Sequence, residues 1–366
     1  MHLKSLSLAN YKNIIQSDID FVPKINCILG NNGEGKTNVL DAIYYLSFCK
    51  SYTNSIDSQN INHDEEYFVI TGEYERHNTT EKIYCGLQRK RSKQFKRNKK
   101  KYAKLSEHIG LLPLVMVSPI DNKLLLDGSD ERRKYIDGVI SQFDKQYLGT
   151  LISYNKILAQ RNSYLKQGYS QFFDDELVSV WDEQLNTFGA QIFKKREDFI
   201  KELIPVFQKY YSFISGDREE VMLEYQSDWF DGEYMYQLRD SRQRDLALGY
   251  TTKGIHKDDL KFKLGEFPIK RMGSQGQQKT YLTALKFAQY DFISRRSGVT
   301  PILLLDDIFD KLDSKRVEKI VELVSGEDFG QIFISDTNRE HLYDILNKIG
   351  KEYRVFFVDN GVMVQK

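Results

Sequence analysis

The chain has 366 residues, enough for one large domain or two and for a sizeable core. Its 53 lysines and arginines nearly cancel its 52 aspartates and glutamates, so attraction of nucleic acid by overall charge is excluded and any such contact must come from a local patch. Cys27, Cys49 and Cys85 lack paired or metal-ligand spacing, no run reaches the roughly 20 apolar residues of a membrane span, and the opening MHLKSLSLANYKNI has no uninterrupted apolar core; a reduced, cytosolic, non-membrane protein is expected.

The first element that carries chemistry is CILGNNGEGKTNVLDAIYYLSF, Cys27 to Phe48. INCIL reads as a short buried strand, and Val39, Leu40, Ile43, Tyr44 and Leu46 recur with helical spacing. Between them GNNGEGKT fits the phosphate-loop pattern G-x-x-x-x-G-K-[ST]. Gly30, Gly33 and Gly35 let the backbone curl so that its N–H groups converge where the positive end of the following helix points. ATP is therefore expected on Gly30, Asn31, Asn32, Gly33, Glu34, Gly35, Lys36, Thr37 and Asn38. Lys36 bridges the terminal phosphates in this reading, and the Thr37 hydroxyl ligates Mg²⁺.

Strand-like stretches follow, YFVITGEYER and EKIYCGLQRK among them. The run QRKRSKQFKRNKKKYAKL, Gln88 to Leu105, holds ten lysines and arginines interleaved with Phe95 and Tyr102. Two readings stand side by side: an electrostatic footprint on duplex DNA through Arg89, Lys90, Arg91, Lys93, Lys96 and Arg97, or a hairpin whose cations face water. Arg132, Arg133, Lys194, Lys195 and Arg196 are secondary candidates. From about 131 to 245 glycine and proline become scarce and long helical patterns predict an antiparallel helical arm broken at QGYS. The six histidines form no metal-like cluster; His256 lies beside Asp258 and Asp259 and is expected to pack a loop.

MGSQGQQKTYLTALKFAQYDFI, from Met272, places a second glycine-rich loop before a helix. Ser274, Gln275, Gly276 and Gln277 offer donors for an anion without a lysine. One nucleotide does not need two such loops from one chain, so the second is expected to cover phosphates held by another copy. PILLLDDIFDKLD then supplies a buried strand ending in two carboxylates: Asp306 for Mg²⁺ and Asp307 to orient or deprotonate the attacking water. About 270 residues separate Lys36 from Asp306, too many for adjacent strands of one compact fold, so a large insertion is expected. Near the C-terminal end, QIFISDTN brings Ser335, Asp336 and Thr337; Asp336 or Thr337 faces the terminal phosphate, or the stretch is a plain strand-end turn.

SQGQQ resembles the signature loop of ABC-type ATPases, whose heads dimerise head to tail around two ATP molecules, and FDKLD, ending at Asp313, resembles their D-loop. LKSLSLANYKNI with NNGEGKTNVLDAIYYLS, SPIDNKLLLDGSDERRKYID, YNKILAQRNSYLK and GIHKDDLKF ahead of GSQGQQ together resemble, in order and from end to end, the RecF DNA replication and repair proteins. Ile255 replaces that family's proline and Ile120 an acidic residue; Asp307 matches RecF proteins where most ABC ATPases place Glu.

The resemblance implies an α/β ABC-type phosphate-loop ATPase head of two lobes with mixed sheets and an inserted α-helical arm. The head occupies 1–130 and 246–366 and the arm 131–245. It further implies a slow, DNA-stimulated ATPase acting as an ATP-dependent homodimer on gaps and junctions between single- and double-stranded DNA. RecR and RecO are the implied partners, RecA loading and SOS induction the implied outcome, and the nucleoid-associated cytoplasm the implied location. A chromosome-organising SMC-like head would need a far longer arm. A transporter's nucleotide-binding subunit would show LSGGQ, a switch histidine and a shorter gap between its phosphate loop and acidic strand.

Overall fold

A computed structural model describes residues 1–167, 174–217, 219–310, 312–337, 343–344, 346–347, 350 and 352–365. The expected break at Gly168–Ser170, Lys311 of FDKLD and His341 lie outside them. Strands β1 (His2–Tyr11), β2 (Ile14–Asp20) and β3 (Ile25–Leu29) lead into helix α1 (Lys36–Phe48). Next come β4 (Tyr67–Arg76), β5 (Thr79–Gln88), β6 (Gln94–Arg97), β7 (Lys100–Lys101) and β8 (Leu114–Val117). Helices α2 (Asn122–Leu126), α3 (Ser129–Ile140), α4 (Lys145–Leu165) and α5 (Asp175–Ser215) follow, then β9 (Val221–Gln226), α6 (Tyr234–Asp240) and α7 (Arg242–Leu248). The remainder runs β10 (Asp259–Leu264), β11 (Phe267–Pro268), α8 (Ile269–Met272), α9 (Gln275–Ser297), β12 (Ile302–Asp306), α10 (Ser314–Val324), β13 (Ile332–Asp336), β14 (Tyr353–Asp359) and β15 (Val362–Gln365).

Two compact units result: Met1–Asn122 with Lys209–Arg218 and Ser274–Lys366, and Lys123–Gln208 with Glu219–Gly273. The second unit reaches beyond the expected 131–245 on both sides. It also gives up the last turns of α5 to the first unit and carries a sheet of its own, in the order β11-β10-β9.

The first unit holds two six-stranded sheets, β2-β1-β4-β5-β6-β7 and β15-β14-β3-β13-β12-β8. The former is antiparallel and alternates, with Phe68, Ile70 and Tyr74 of β4 turned inward. In the latter, β3, β13, β12 and β8 are parallel and β3, β8, β12 and β13 are buried along their whole length. That is why INCIL, LVMV and ILLLD are apolar runs rather than alternating ones. Helix α1 packs on strands of both sheets, which buries Val39, Leu40, Ala42, Ile43, Tyr45 and Leu46 completely.

In the second unit α4 and α5 run antiparallel: Tyr147 meets Arg196, Thr150 meets Gln191, and Arg161 meets Asp182. Buried residues recur at seven-residue intervals on both helices, at Tyr147, Tyr154 and Arg161 and at Val178, Leu185, Ile192 and Phe199. That is the period of a coiled-coil seam. Arg161 is fully buried; its Nε donates to Asp182 at 2.8 Å and its Nη1 to Asp245 and Thr251 at 2.8 Å each. Arg196 is also enclosed, bonded to Asp137, Asp258 and the Ile255 carbonyl, so it leaves the set of DNA candidates. Arg132 is held by Asp259, and Lys195 pairs with Asp144. No helix among the described residues is long and apolar enough to cross a membrane.

His256 packs a loop: its Nε2–H donates to the Thr251 carbonyl at 3.0 Å and its Nδ1 accepts from the Tyr154 hydroxyl at 2.9 Å. Burial pushes its pKa from 6.5 down to about 4. Below about 6.5 the unfolded chain takes up this proton first. Stability is therefore lost as pH falls from 6.5 to about 4, by up to about 1.4 kcal/mol per unit. Urea titrations across that window should show this slope in the wild type and its absence in His256→Gln. Arg161→Met leaves the buried Asp245 without its paired cation and Asp182 with Arg242 alone, and should lower the unfolding free energy of this unit by about 3–5 kcal/mol. Tryptophan fluorescence reports it directly, since Trp181 and Trp229 both lie in this unit; a loss under about 1 kcal/mol would contradict the network's role.

Candidate nucleotide-binding site

The loop between β3 and α1 is shaped by backbone no side chain tolerates well. Gly33 and Gly35 have φ of +89° and +117°, and a Cβ on Gly35 would lie 2.8 Å from Asn13 Oδ1. Asn13, in the turn between β1 and β2, donates its amide to the Glu34 carbonyl at 2.9 Å and accepts from Asn38 Nδ2 at 2.7 Å. From the other side the β14–β15 turn closes on the loop: the Asn360 N–H donates to the Glu34 carboxylate and the Gly361 N–H to the Glu34 carbonyl. Lys36 is 5% exposed, and its ammonium donates to the Gly30 and Asn31 carbonyls at 2.9 Å each. The charge thus sits directly over the cradle. Neither Asn13 nor Asn360 stood out in the sequence, because each acts through a turn far from the loop along the chain.

Strand order explains how Asp306 reaches this loop. β3 and β12 do not pair; β13 lies between them, in register Asp336 with Leu29 and Ser335 with Asp306. All three strands are parallel, so their C-terminal ends form one edge, where ligands of open α/β sheets bind. The Asp306 carboxylate, 3% exposed, accepts hydroxyls from three elements: Thr37 at 3.0 and 3.1 Å, Ser335 at 2.7 Å and Ser118 at 3.2 Å. Among the described residues its donors are all hydroxyls and none is a cation. A buried, all-oxygen cluster suits a hard divalent ion such as Mg²⁺, which Thr37 and Asp306 could hold. Ser118, known from sequence only as the start of a family segment, and Ser335 at the strand end are thereby placed in the site.

Asp307 has φ of +46° and is anchored by its N–H to Ser335 Oγ at 3.2 Å. Burial raises its pKa, and the neighbouring Asp306 charge adds to that rise. A carboxylate so placed holds a proton more tightly than usual. Asp336 is buried at the end of β13 and also raises the Asp307 pKa; Thr337 lies beside it, exposed.

Ser274 and Gln277 form a reciprocal cap on α9: Ser274 Oγ accepts from the Gln277 N–H at 3.3 Å and Gln277 Oε1 from the Ser274 N–H at 2.7 Å. Gln275 is exposed and Gly276 half-buried, at the positive end of a 23-residue helix. Lys279, one turn further, donates to the carbonyls of Asp307 and Asp310. Asp313 caps α10 by accepting the Arg316 N–H at 3.0 Å, and the Arg316 side chain reaches Thr280 of α9 at 3.1 Å.

The six cations proposed for DNA are divided by the fold. Lys93 is drawn inward by Asp57, the Cys49 carbonyl and Tyr45, its side chain 14% exposed, and so leaves the surface. Arg97 pairs with Glu81, and Arg89 donates to the Glu65 carbonyl. Lys96 lies 5.1 Å from the Tyr84 ring, while Lys90 and Arg91 are exposed in the turn before β6. Lys99, Lys100 and Lys101 are exposed on the β6–β7 hairpin.

The family model of the RecF/RecN/SMC N-terminal domain matches residues 2–364. The DNA replication and repair protein RecF of Phocaeicola vulgatus is 58% identical over 368 residues, covering 100% of this chain and 99% of its own length. That of Bacteroides thetaiotaomicron is 58% identical over 364 residues, covering 99% and 98%. Among solved structures, the recombination mediator protein RecF with ATP, of the RecFOR pathway, superimposes with a TM-score of 0.89 at 30% identity, covering 100% of this chain and 97% of that one. A Pyrococcus furiosus Smc head bound to the C-terminal domain of ScpA, with a TM-score of 0.59 at 16% identity, shares the fold. A phosphate loop over a hydroxyl-ringed aspartate, in a chain matched over its whole length, makes this protein a member of the RecF family of DNA replication and repair proteins, ATP-binding ATPases of the ABC/SMC class.

Proposed function

We propose that the protein is an ATP-driven clamp on DNA, serving recombinational repair and replication restart in the nucleoid-associated cytoplasm. The observation that carries this reading is the contact of Thr37 with Asp306, which joins phosphate loop and acidic strand into one site. Backbone N–H groups of Gly30–Thr37 and Asn38 cradle the phosphates of ATP, and Lys36 leaves the Gly30 and Asn31 carbonyls to neutralise the terminal one. Thr37 and Asp306 would hold Mg²⁺, which would supply charge neutralisation and polarisation of the phosphoryl oxygens. Asp307 orients the attacking water and takes its proton. A shorter side chain than Glu suits slow turnover, a timing device rather than a motor.

Ser274–Gln277 of one copy cover the nucleotide of the other, and Asp313 lies along the same interface, so that ATP closes a homodimer. The exposed cap at the start of α9 supports this. Exposed cations around Lys90, Arg91 and Lys99–Lys101 make salt-sensitive phosphate contacts with duplex DNA, and DNA stimulates hydrolysis. The relative solved with ATP belongs to the RecFOR pathway. By that likeness the clamp acts at gaps and junctions of single- and double-stranded DNA with RecR and RecO, promoting RecA loading and SOS induction.

Lys36→Ala should weaken ATP binding at least about 100-fold, the loss of about 2.7 kcal/mol. Ser274→Arg should keep ATP binding within about twofold yet prevent ATP-dependent dimerisation, read by sedimentation. Normal dimerisation of Ser274→Arg would overturn the shared-site reading. For DNA, the slope of log affinity against log salt should fall by about 0.9 per phosphate contact removed in Lys100→Ala with Lys101→Ala. Lys93→Ala should leave that slope unchanged.

A further inference from the structure

Behind the phosphate loop lie two buried carboxylates that the site chemistry does not use. Asp41 belongs to α1 and Asp121 to the turn after β8; they are 0% and 3% exposed. Each has its own lysine, the half-buried Lys12 at 2.5 Å from Asp41 and the buried Lys286 at 2.6 Å from Asp121. Asp41 also accepts from the Tyr11 hydroxyl at 2.7 Å, Ser51 Oγ at 2.6 Å and the Tyr52 N–H at 2.6 Å. Asp121 also accepts from the Ser118 N–H at 2.8 Å and from the Tyr52 hydroxyl. Tyr52 is the shared member, its backbone on one carboxylate and its phenol on the other. Lys286 lies 3.3 Å from that phenol oxygen and 5.6 Å from the ring centre.

The chain of contacts ends on three functional elements. α1 begins with Lys36 and Thr37, the turn after β8 carries the Ser118 hydroxyl that touches Asp306, and α9, which carries Lys286, begins at the Ser274–Gln277 cap. Desolvating four charges costs several kcal/mol each, and an apolar core of the same shape is often at least as stable. Stability alone therefore gives no reason for this arrangement. A fully satisfied polar network in low dielectric resists displacement of any member, so elements tied to it shift together.

We infer that the chain Asp41–Tyr52–Asp121–Lys286 is a positioning relay that ties a copy's own phosphate loop to its own signature loop. The inference rests on the dimer reading above, in which that loop covers the partner's nucleotide. Filling one site thus sets the loop that completes the other, and the two ATP sites of the pair act cooperatively. None of the four residues belongs to the phosphate loop or to the Ser274–Gln277 cap; they act through α1, Ser118 and α9.

Tyr52→Phe removes one hydroxyl and leaves both ion pairs, so the variant folds. On the monomeric Ser274→Arg background it should bind ATP within about twofold of its parent. In the otherwise native chain the Hill coefficient of ATP hydrolysis should fall from near the number of sites, about 2, to about 1, with kcat reduced about tenfold. Lys286→Met should give the same phenotype, and the double variant no more, since both break one chain. A merely structural role would lower the thermal midpoint and leave the Hill coefficient unchanged. Unaltered cooperativity and kcat in Tyr52→Phe, with a wild type that dimerises with ATP, would overturn the relay alone. A wild type that does not dimerise with ATP would overturn both the relay and the clamp.

Discussion

The rest of the site depends on a single buried carboxylate. Asp306 has no cation against it among the described residues, and three hydroxyls from α1, β13 and the turn after β8 converge on it. A carboxylate buried this way is costly unless every lone pair is met. Because each donor comes from a different element, the interaction also fixes the elements. Thr37 sets the first turn of α1 against the sheet, Ser335 holds the N–H of Asp307, and Ser118 positions the turn that contains Asp121. The chemistry of the site and the packing of the unit are one set of contacts.

Around that point the fold separates tasks. The four parallel strands β3, β13, β12 and β8 are buried on both faces, and at their C-terminal edge phosphate loop, Asp306 and Asp307 gather. The antiparallel sheet has a solvent face and carries the cations, on hairpins whose own stability consumes some of them. Lys93 shows the conflict: a lysine in a basic run is drawn inward because Asp57 and a carbonyl at the end of α1 need a donor. In the second unit, Arg161 and Arg196 fill seam positions that aliphatic side chains would ordinarily take, each enclosed by aspartates.

Much of the site was legible because its motifs are local. The phosphate loop needs glycines, a lysine and a threonine at set spacing between strand and helix, and those requirements lie within one contiguous stretch. The acidic strand is likewise self-contained, as is the Ser274–Gln277 cap, a reciprocal hydrogen-bond pair three residues apart. The long helices announced themselves by periodicity. Asn13, Ser118 and Asn360 did not, since a single polar residue in a turn looks the same whether it braces a site or faces water. The second unit extends past 131–245 for a similar reason: β9 and β10 pair across an intervening helical stretch, and nothing local in residues 246–273 marks them as belonging there.

What the sequence by itself determined is local: a phosphate-loop pattern, a buried strand ending in Asp306 and Asp307, a Ser274–Gln277 helix cap, and helices too short for a chromosome-scale coiled coil. These follow from backbone conformations and spacings that near neighbours impose on one another. Only the tertiary structure decided which distant groups complete the site and which charges are free to act. Strand order puts β13 between β3 and β12, so Ser335 rather than Asp336 meets Asp306. Burial consumes Lys93, Arg161 and Arg196 internally while leaving Lys99–Lys101 to solvent. The reason is that pairing and desolvation depend on what the whole chain brings within a few ångströms, and no local pattern encodes that.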